Sequence, residues 1–503
     1  MSIFSPATLG RIIDHGQGLE LSPSELWVEI MKRRDVYYSL GMRKGDKAII
    51  NHGNSYQYFA DLFALWEIGV CCVPIDSQTS LSEMANLISH CNAKLIVYRD
   101  HFDLGELKKL LEYDVVAVDS HDVNEGTGGA NGHGFQDQCV GWDDQSLILY
   151  TSGSTGRPKG VVHTFRSLWA RLYLLRADVP LESLHTTLNL LPTHFGHGLI
   201  CNSMYPLLNG HTLVILPAFN VGLLSELGSI IDRYQVNFMS SVPTVWRIAM
   251  RFSDSPVAGT LARVHCGSAP LSAKLFAGIR EWCGTSNVRN AYGITEVGSW
   301  LGGTESDVSE LVDGYVGKGW GTDIMVLDPG TDPGSANAQK YELSSKVEGD
   351  VWIRTPSLMQ GYYERPDLTE EAVKNTWFRT GDVGYKNQCG GLVLVGRRHH
   401  EINKAGMKVY PEDIDLVLEQ SPTVAEACSF GIDDPIAGQV VGVALVLMDP
   451  EDGLEATKKW LGDRISPHKF PTKWFPVRSI TRDSRGKVNR EQVAAICLQA
   501  GRA

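Results

Sequence analysis

The chain of 503 residues is 43% hydrophobic and 21% charged, the composition of an ordinary globular protein, and its length predicts at least two domains. The formal net charge of −12 gives no electrostatic reason to expect nucleic acid or an anionic membrane as a partner. Ten cysteines are scattered without a C-x-x-C spacing, which indicates reduced thiols rather than a disulfide or zinc framework. The N-terminus lacks a signal-peptide pattern and no apolar run reaches membrane-spanning length, so we expect a cytoplasmic protein.

Helical and strand patterns alternate over the first hundred residues. We predict helices, the second of them amphipathic, over 24–38, 56–68 and 81–90. We predict strands over 47–50, 70–75 and 94–98. The alternation indicates a mostly parallel sheet with helices on its faces, and the Gly- and Asn-rich segment 121–134 indicates a surface loop.

The segment 147–160 reads L-I-L-Y-T-S-G-S-T-G-R-P-K-G. Its apolar start predicts a buried strand, and the glycines and hydroxyl side chains that follow can direct N–H and O–H donors inward. Together with the positive charge of Lys159, this pattern predicts a cradle for a polyphosphate. It is not the P-loop of NTPases, because Pro158 and Gly160 stand where that motif needs Gly and Ser or Thr. The predicted cradle consists of Thr151, Ser152, Gly153, Ser154, Thr155, Gly156 and Lys159.

This segment resembles the phosphate loop of the adenylate-forming superfamily, which contains acyl-CoA synthetases, beetle luciferases and peptide-synthetase adenylation domains. Further matches follow in the family's order, so that the resemblance extends from about residue 40 to residue 490. It implies an α/β fold with a large N-terminal domain of α/β-layered sheets, a small β-barrel-like part, and a small, mobile α+β C-terminal domain. The implied boundary places ATP and carboxylate binding in 1–398 and a catalytic lysine in 399–503.

The segment L-N-L-L-P-T-H-F-G-H-G-L at 188–199 contains two histidines three residues apart, His194 and His197. No Cys, Asp or Glu lies nearby as a third metal ligand, so we predict pocket-wall or loop residues rather than a metal site. In the family that the chain resembles, this segment forms part of the wall around the acyl substrate. Amino-acid-activating relatives place Asp at the position of Gly196, which disfavours an α-amino acid as the substrate.

Further pocket residues follow. A strand over 236–240 is predicted, then a helix that begins at Pro243. The turn C-G-S-A-P-L at 266–271 is ordinary by itself, but its position two dozen residues before Tyr292 favours a functional interpretation, and it resembles the family's G-[GS]-A-P-L turn. The resemblance implies nucleotide contacts by Ser268, Ala269 and Pro270. It implies an acyl pocket formed by His194, Phe195, Gly196, His197, Phe238, Trp246, Gly267, Val297, Gly298 and Trp300.

The segment N-A-Y-G-I-T-E at 290–296 resembles the family's Y-G-x-T-E motif. Tyr292 offers a flat face for adenine, and Asn290 offers an amide for the edge of the base. Thr295 offers a hydroxyl to phosphate, and Glu296 is a hard oxygen ligand suited to Mg²⁺. The implied nucleotide-binding residues of this segment are Asn290, Ala291, Tyr292 and Gly293.

Asp382 ends the segment W-F-R-T-G-D on a predicted tight turn, where its carboxylate can accept two hydrogen bonds from a ribose diol. In the family's pattern Arg397 contacts the nucleotide. His399 stands at the family's hinge between domains, although relatives usually have Asp or Lys there.

Two further segments belong to the implied C-terminal domain. Lys404 and Gly406 fall in the loop that lines the thiol tunnel in the family. The final match, R-x-x-x-G-K, assigns Lys487 to bridging carboxylate and α-phosphate oxygens. The implied catalytic residues are Thr295, Glu296, also the metal ligand, and Lys487.

The implied reaction uses ATP and Mg²⁺. A carboxylate is a poor electrophile because its leaving group would be oxide, so its oxygen attacks the α-phosphorus of ATP, releasing pyrophosphate and leaving an acyl-AMP. A thiol, most simply that of CoA, then attacks the acyl-AMP. The phosphopantetheine of a discrete acyl carrier protein, or an amine, remains open as the acceptor. A luciferase-like oxygenase and a non-catalytic nucleotide-binding protein are further interpretations, and retention of Lys159, Glu296, Asp382 and Lys487 argues against the last.

Overall fold

The structure is a computed structural model that describes residues 7–99, 103–124, 139–151, 159–217, 221–306, 308, 311–334, 346–404, 407–449, 453–483 and 486–500. The strands of the described residues are β1 (Ile12–Asp14), β2 (Leu19–Leu21), β3 (Lys47–Asn51), β4 (Cys71–Pro74), β5 (Leu95–Tyr98), β6 (Val116–Asp119), β7 (Gln145–Thr151), β8 (Lys159–Thr164), β9 (Thr186–Asn189), β10 (Thr212–Ile215), β11 (Phe238–Ser241), β12 (Arg263–Gly267), β13 (Val288–Ile294), β14 (Ser299–Gly303), β15 (Tyr315–Gly319), β16 (Asp323–Leu327), β17 (Gly349–Arg354), β18 (Gly361–Tyr362), β19 (Val373–Lys374), β20 (Trp377–Lys386), β21 (Leu392–Arg397), β22 (Ile402–Lys404), β23 (Met407–Val409), β24 (Val424–Asp434), β25 (Gly438–Leu447) and β26 (Lys473–Pro476).

The α-helices of the same residues are α1 (Pro23–Ser39), α2 (Tyr56–Ile68), α3 (Leu81–Cys91), α4 (Leu104–Leu110), α5 (Phe165–Leu174), α6 (Tyr205–Leu207), α7 (Val221–Leu224), α8 (Leu227–Tyr234), α9 (Pro243–Phe252), α10 (Ala273–Cys283), α11 (Pro366–Ala372), α12 (Pro411–Glu419), α13 (Gly453–Gly462) and α14 (Arg490–Ala500). A π-helical segment, His197–Met204, precedes α6. No helix of the described residues is long and apolar enough to cross a membrane.

Two large sheets form the N-terminal part of the fold. One has the order β18-β8-β7-β4-β3-β5-β6, and its strands from β7 to β6 are parallel. The other runs β16-β17-β20-β21-β15-β14-β13-β12-β11-β9-β10-β1-β2 and is parallel from β13 to β1. Its antiparallel end, β14 to β16, forms the predicted β-rich part and is continuous with the parallel strands. This mixture confirms the predicted α/β architecture.

The predicted helices and strands of the first hundred residues are confirmed to within one residue at their ends. Ser55 caps α2 by accepting the backbone N–H of Tyr58, and Gly69 ends it in the left-handed region. The prediction that α2 is amphipathic was wrong, because all of its side chains are buried. The helix packs along α1 and also contacts β3 and β4 of one sheet and β1 of the other, so it has no face toward solvent. Most of the predicted loop 121–134 lies outside the described residues, and Asp122–Asn124 forms a short 3-10 helix.

A third, smaller sheet follows the 3-10 turn Arg398–His400. Its strands β22 to β26 pack against α12, α13 and α14, with apolar residues such as Val441 and Val443 buried between them. The pattern is the α+β arrangement that the sequence predicts for the C-terminal part.

A buried cluster of polar groups ties α1 and α2 to the first sheet. The carboxylate of Asp61 accepts hydrogen bonds from Arg33 and Tyr37, from Ser120 at 2.6 Å, and lies 3.0 Å from His52 Nε2. Burial opposes ionisation of Asp61, but Arg33 and His52 outweigh it and lower the pKa of the carboxyl to about 2. The charge of Arg33 is therefore balanced where water does not reach it.

We predict that Asp61→Asn destabilises the protein by about 3–5 kcal/mol, because it removes the nearest countercharge of the buried Arg33 guanidinium and leaves it the more distant Glu29, 4.0 Å from Nε. Urea unfolding measures the change. Asp143→Asn is the control: it removes an exposed ion pair with Arg166 and should cost less than about 1 kcal/mol. Equal midpoints for the two variants would contradict the prediction.

Candidate active site

The two ends of the predicted phosphate loop are held by strand pairing. Thr151, the last residue of β7, pairs with Lys159, the first residue of β8. The carboxyl ends of parallel strands are where open α/β sheets bind ligands. The predicted cradle residues between the two strands, Ser152, Gly153, Ser154, Thr155 and Gly156, lie outside the described residues.

Tyr362 brings Lys159 and Glu296 together. The Lys159 ammonium lies 5.5 Å from the centroid of the Tyr362 ring, and the Tyr362 hydroxyl donates to Glu296 Oε1 at 2.8 Å. Burial, together with the charge of Glu296, raises the pKa of Tyr362, so the phenol remains a donor. Sequence reasoning missed Tyr362, since it lies 66 residues from Glu296 and reaches the site only through the pairing of β18 with β8.

Glu296 fits the predicted magnesium ligand chemically. One of its carboxylate oxygens accepts a single hydrogen bond from Tyr362, and a carboxylate has about four lone-pair sites, so acceptor capacity remains for a hard cation. Among the described residues no group of three or more His, Cys, Asp and Glu side chains could hold a metal by itself. A magnesium ion at Glu296 would therefore depend on oxygens of a substrate, as is usual for Mg²⁺ with nucleotides.

Thr295 and Val297 flank Glu296 and are fixed through their carbonyl groups. His163 Nε2 lies 2.8 Å from the Thr295 oxygen, and burial lowers the pKa of that imidazole to about 4, so it donates as a neutral ring. Arg171 Nε donates to the Val297 oxygen at 3.2 Å. Neither His163 nor Arg171 was predicted, because each contact joins segments more than a hundred residues apart.

Three predicted nucleotide residues form one connected group. Asp382 and Arg397 are cross-strand partners on β20 and β21, and their side chains form an ion pair of 2.6 Å. The Tyr292 hydroxyl donates to the other oxygen of Asp382. The carboxylate of Asp382 raises the pKa of Arg397, and burial followed by the same carboxylate raises that of Tyr292. The group thus combines the aromatic ring of Tyr292 for a base, the carboxylate of Asp382 for a ribose and the positive charge of Arg397 for a phosphate.

Asn290 differs from its prediction. Its amide nitrogen donates to the carbonyl oxygen of Tyr315 at 2.8 Å, and its backbone N–H donates to Thr304. The side chain is buried between β13 and its neighbours. The amide nitrogen thus forms a hydrogen bond within the protein, whereas the sequence predicts that the amide contacts the edge of the base.

His197 is the centre of the predicted acyl wall. Its Nδ1 lies 2.9 Å from Ser268 Oγ and its Nε2 lies 2.6 Å from Ser240 Oγ. Burial, with a smaller contribution from the charge of Lys487, lowers the pKa of His197 to about 3. The ring is therefore neutral at physiological pH, and both nitrogens have hydroxyl partners, which agrees with a pocket-wall role and not with a metal site.

The aromatic residues of the predicted wall surround His197. Its ring centroid lies 6.0 Å from that of Phe195 and 5.4 Å from that of Trp300, and Phe238 lies 6.0 Å from Trp300. His194 is separate: its Nε2 lies 3.8 Å from Asp76. The remaining predicted pocket and turn residues, Gly196, Gly267, Val297 and Gly298 and the segment Ser268, Ala269 and Pro270, lie on the loops and strand ends around this group.

Trp246, which is predicted as a pocket residue, belongs to a different hydrophobic cluster from Phe238 and Trp300. Trp246 is fully buried in α9, with its ring 6.1 Å from Trp282 of α10. It belongs to the hydrophobic cluster that contains Met239, whereas Phe238 belongs to the cluster that contains Trp300. Because adjacent strand residues point to opposite faces of a sheet, Trp246 and Phe238 lie on different sides of β11.

Lys487 lies against this wall. Its ammonium is 5.2 Å from the centroid of the Phe195 ring. Its backbone N–H donates to Asp483 Oδ1 at 2.9 Å, and Gly486 before it has a φ of 77°. A turn from the C-terminal sheet region thus delivers a cation to the predicted acyl pocket.

The predicted hinge lies in the 3-10 turn Arg398–His400, where His399 is exposed. Beside it, Arg398 pairs with Asp350 at 2.6 Å and with Glu401 at 2.8 Å, so the turn is bound to both neighbouring regions. Lys404 Nζ donates to the Phe470 oxygen at 3.2 Å within the C-terminal region. Gly406 lies outside the described residues.

Comparison with known proteins agrees with this geometry. The AMP-binding enzyme family model matches residues 23–363, and the model of the AMP-binding enzyme C-terminal domain matches residues 413–487. The chain therefore belongs to the AMP-binding enzyme family. It is 26% identical to 4-coumarate–CoA ligase-like 3 of Arabidopsis thaliana, over 96% of this chain and 89% of that protein. It is 28% identical to 2-succinylbenzoate–CoA ligase of Bacillus licheniformis, over 93% of each.

The fold is also that of solved structures. The O-succinylbenzoate coenzyme A synthetase of Bacillus subtilis in complex with AMP superposes with a TM-score of 0.83 at 23% sequence identity, over 96% of this chain and 95% of that chain. The ATP-bound MatB of Rhodopseudomonas palustris superposes with a TM-score of 0.85 at 23% identity, over 98% and 96%. These likenesses establish the shared two-part architecture.

We predict that Gly293→Ala lowers the free energy of unfolding by about 1–3 kcal/mol, since a Cβ there would lie 2.3 Å from the backbone oxygen of Ser299. Gly196→Ala is the matched control, because its nearest neighbours would be side-chain atoms of Leu149, Ser299 and Ile200 at ordinary distances of 3.6–3.9 Å. Thermal unfolding of both variants tests this. A stable Gly293→Ala protein would contradict the close strand approach.

Proposed function

We propose that the protein is an AMP-forming acid–thiol ligase that makes an acyl-CoA from a small carboxylic acid. The observation that carries the proposal is the contact of Lys487 with the wall formed by Phe195 and His197. A second group, in which Tyr362 contacts Lys159 and Glu296, supplies a positive charge and a carboxylate suited to Mg²⁺. The names of the relatives, which are CoA ligases, support the thiol as acceptor.

The first half-reaction joins two anions. A carboxylate oxygen attacks the α-phosphorus of ATP, the bond to the bridging oxygen breaks, and pyrophosphate leaves. Lys487 neutralises charge on the carboxylate and α-phosphate, while Tyr292, Asp382 and Arg397 hold the nucleoside. A magnesium ion bound at Glu296 would supply further neutralisation of phosphate charge. Such positioned charges lower a barrier without a covalent protein nucleophile.

The second half-reaction transfers the acyl group. The thiolate sulfur attacks the acyl carbonyl, a thioester forms, and AMP leaves with the former carboxylate oxygen. We propose that the chain divides into domains 1–398 and 399–503, that rotation at His399 withdraws Lys487, and that the loop with Lys404 and Gly406 then lines the thiol path. The exposed 3-10 turn at 398–400 supports this position for the hinge.

The acceptor is CoA rather than a carrier protein or an amine in this proposal. The relatives at 26–28% identity are named CoA ligases, and this supports the choice. The acid in this proposal carries no α-amino group, because Gly196 stands where an amine-binding Asp would be needed. It is small, because the bulky rings of Phe195, Phe238 and Trp300 lie together at the predicted acyl wall.

We expect ATP–pyrophosphate exchange with at least one class in a panel of aromatic, alicyclic, aliphatic and dicarboxylic acids. Lys487→Ala should reduce that exchange about 10²–10³-fold, since it removes a charge used in the transition state. Lys473→Ala, an exposed lysine of the same region, should leave exchange unchanged. CoA, a phosphopantetheinyl carrier and an amine are then offered separately to the acyl-AMP. Absence of exchange with every acid, or transfer only to a carrier or an amine, would refute the proposal.

We predict that Tyr362→Phe raises the magnesium concentration for half-maximal exchange about fivefold, because it removes the hydrogen bond that orients Glu296. The phenyl ring keeps the contact with Lys159. Tyr363→Phe serves as the control, since Tyr363 is the next residue in the chain and its ring packs against His90. Titration of Mg²⁺ at fixed ATP measures the effect, and an equal shift in both variants would argue against orientation by Tyr362.

A further inference from the structure

One face of α9 touches the part of the chain that bears Lys487. Thr244, in the first turn of α9, donates from Oγ1 to the carbonyl oxygen of Gly486 at 3.3 Å. Arg247 follows three residues later, on the same side of the helix, and donates from Nη2 to Glu419 of α12 at 2.5 Å. Thr244 and Arg247 together form what we call the α9 docking face.

The Gly486 carbonyl belongs to the peptide bond before Lys487, so its position sets where the lysine side chain begins. Arg482 Nη1 also donates to this oxygen, at 3.2 Å, from within the proposed C-terminal domain. The carbonyl is thus held by Arg482 from its own domain and by Thr244 from the other. The second donor is lost whenever the two domains move apart.

The Arg247–Glu419 pair is partly shielded from water, with 22% and 14% of the two side chains exposed. Burial raises the pKa of Glu419 to about 7, Arg247 opposes that rise, and nearby Asp415 adds to it. Arg482 and Glu426, the other charged neighbours, act in opposite directions. Arg247 is therefore the charge from the N-terminal domain that favours an ionised Glu419. Gln420, the residue after Glu419, donates a further hydrogen bond across the domain boundary, to Asp313 of the N-terminal domain.

We propose that the α9 docking face positions Lys487 for the adenylation half-reaction and has no part in thioester formation. The inference rests on the proposed function and goes beyond it by assigning two positioning residues that touch no reacting atom. A long lysine side chain reaches its target only if the turn that carries it is fixed, and a displacement of about 1 Å can cost about 10²-fold in rate.

The test compares the two half-reactions separately. Arg247→Gln should reduce ATP–pyrophosphate exchange about 10–100-fold, because it removes the ion pair that joins α9 to α12 and lets the turn that carries Lys487 shift. Thr244→Val keeps the shape and loses one donor, so a reduction of about 3–10-fold is expected. Thioester formation from supplied acyl-AMP and CoA should be unchanged in both. Arg251→Gln, one turn further along α9 and exposed, is the matched control.

A charge exchange separates docking from general damage. Arg247→Glu combined with Glu419→Arg should recover exchange relative to Arg247→Glu alone, since the pair is restored in reverse. Arg247→Gln should also speed protease cleavage within 398–404 at unchanged melting temperature, because undocking lets the hinge segment, whose His399 is already exposed, move more freely.

Equal losses in both half-reactions, no loss in Arg247→Gln, or no recovery in the charge exchange would each overturn the docking-face proposal while leaving the ligase assignment intact. A wild-type chain without exchange for any acid would overturn the ligase assignment itself. The two failures are therefore distinguishable, because only the second affects the unsubstituted protein.

Discussion

Charge neutralisation is the constraint on which this structure depends. A carboxylate and a triphosphate repel each other, and adenylation needs cations close to both at the moment of reaction. The chain supplies them from different places: Lys159 begins β8 and Lys487 sits on a turn of the C-terminal region, 5.2 Å from the Phe195 ring. No single strand or helix carries the site, so the fold must hold separate segments in register.

The segments are held mainly by carbonyl groups and buried polar side chains. Arg171 links the acyl wall to the neighbouring strands by donating to the oxygens of Val297 and Trp320 and to the hydroxyl of Ser357. Burial lowers the pKa of Arg171 to about 10, which still leaves it charged at neutral pH. Such a multiply bonded guanidinium fixes loops that lack regular hydrogen bonding of their own.

Local signals in the sequence predicted local structure well. The ends of α2 agree with the prediction because Ser55 and Gly69 are strong helix start and stop signals. The burial of its whole surface could not be predicted, since periodicity does not show that α1 covers the polar residue Asp61 and that a second sheet also contacts the helix. The motifs likewise indicated Asp382, Arg397 and Lys487, and the structure brings Asp382 and Arg397 into an ion pair. The surroundings of Asn290 and Trp246 could not be predicted, because strand neighbours and sheet faces, both long-range properties, determine where these side chains point.

The same long-range dependence explains how one pocket can serve two reactions. Contacts within the N-terminal sheets, such as Tyr292 with Asp382, persist whatever the position of the C-terminal region. Contacts between α9 and the C-terminal region depend on that position, and those described are the ion pair of the partly exposed Arg247 with Glu419 and the hydrogen bond from Thr244 to the Gly486 carbonyl. Interactions of this kind are individually modest, on the order of 1 kcal/mol, so they can fix a lysine and still release it. A larger apolar interface would hold Lys487 more firmly and would oppose the rotation proposed for the thiol step.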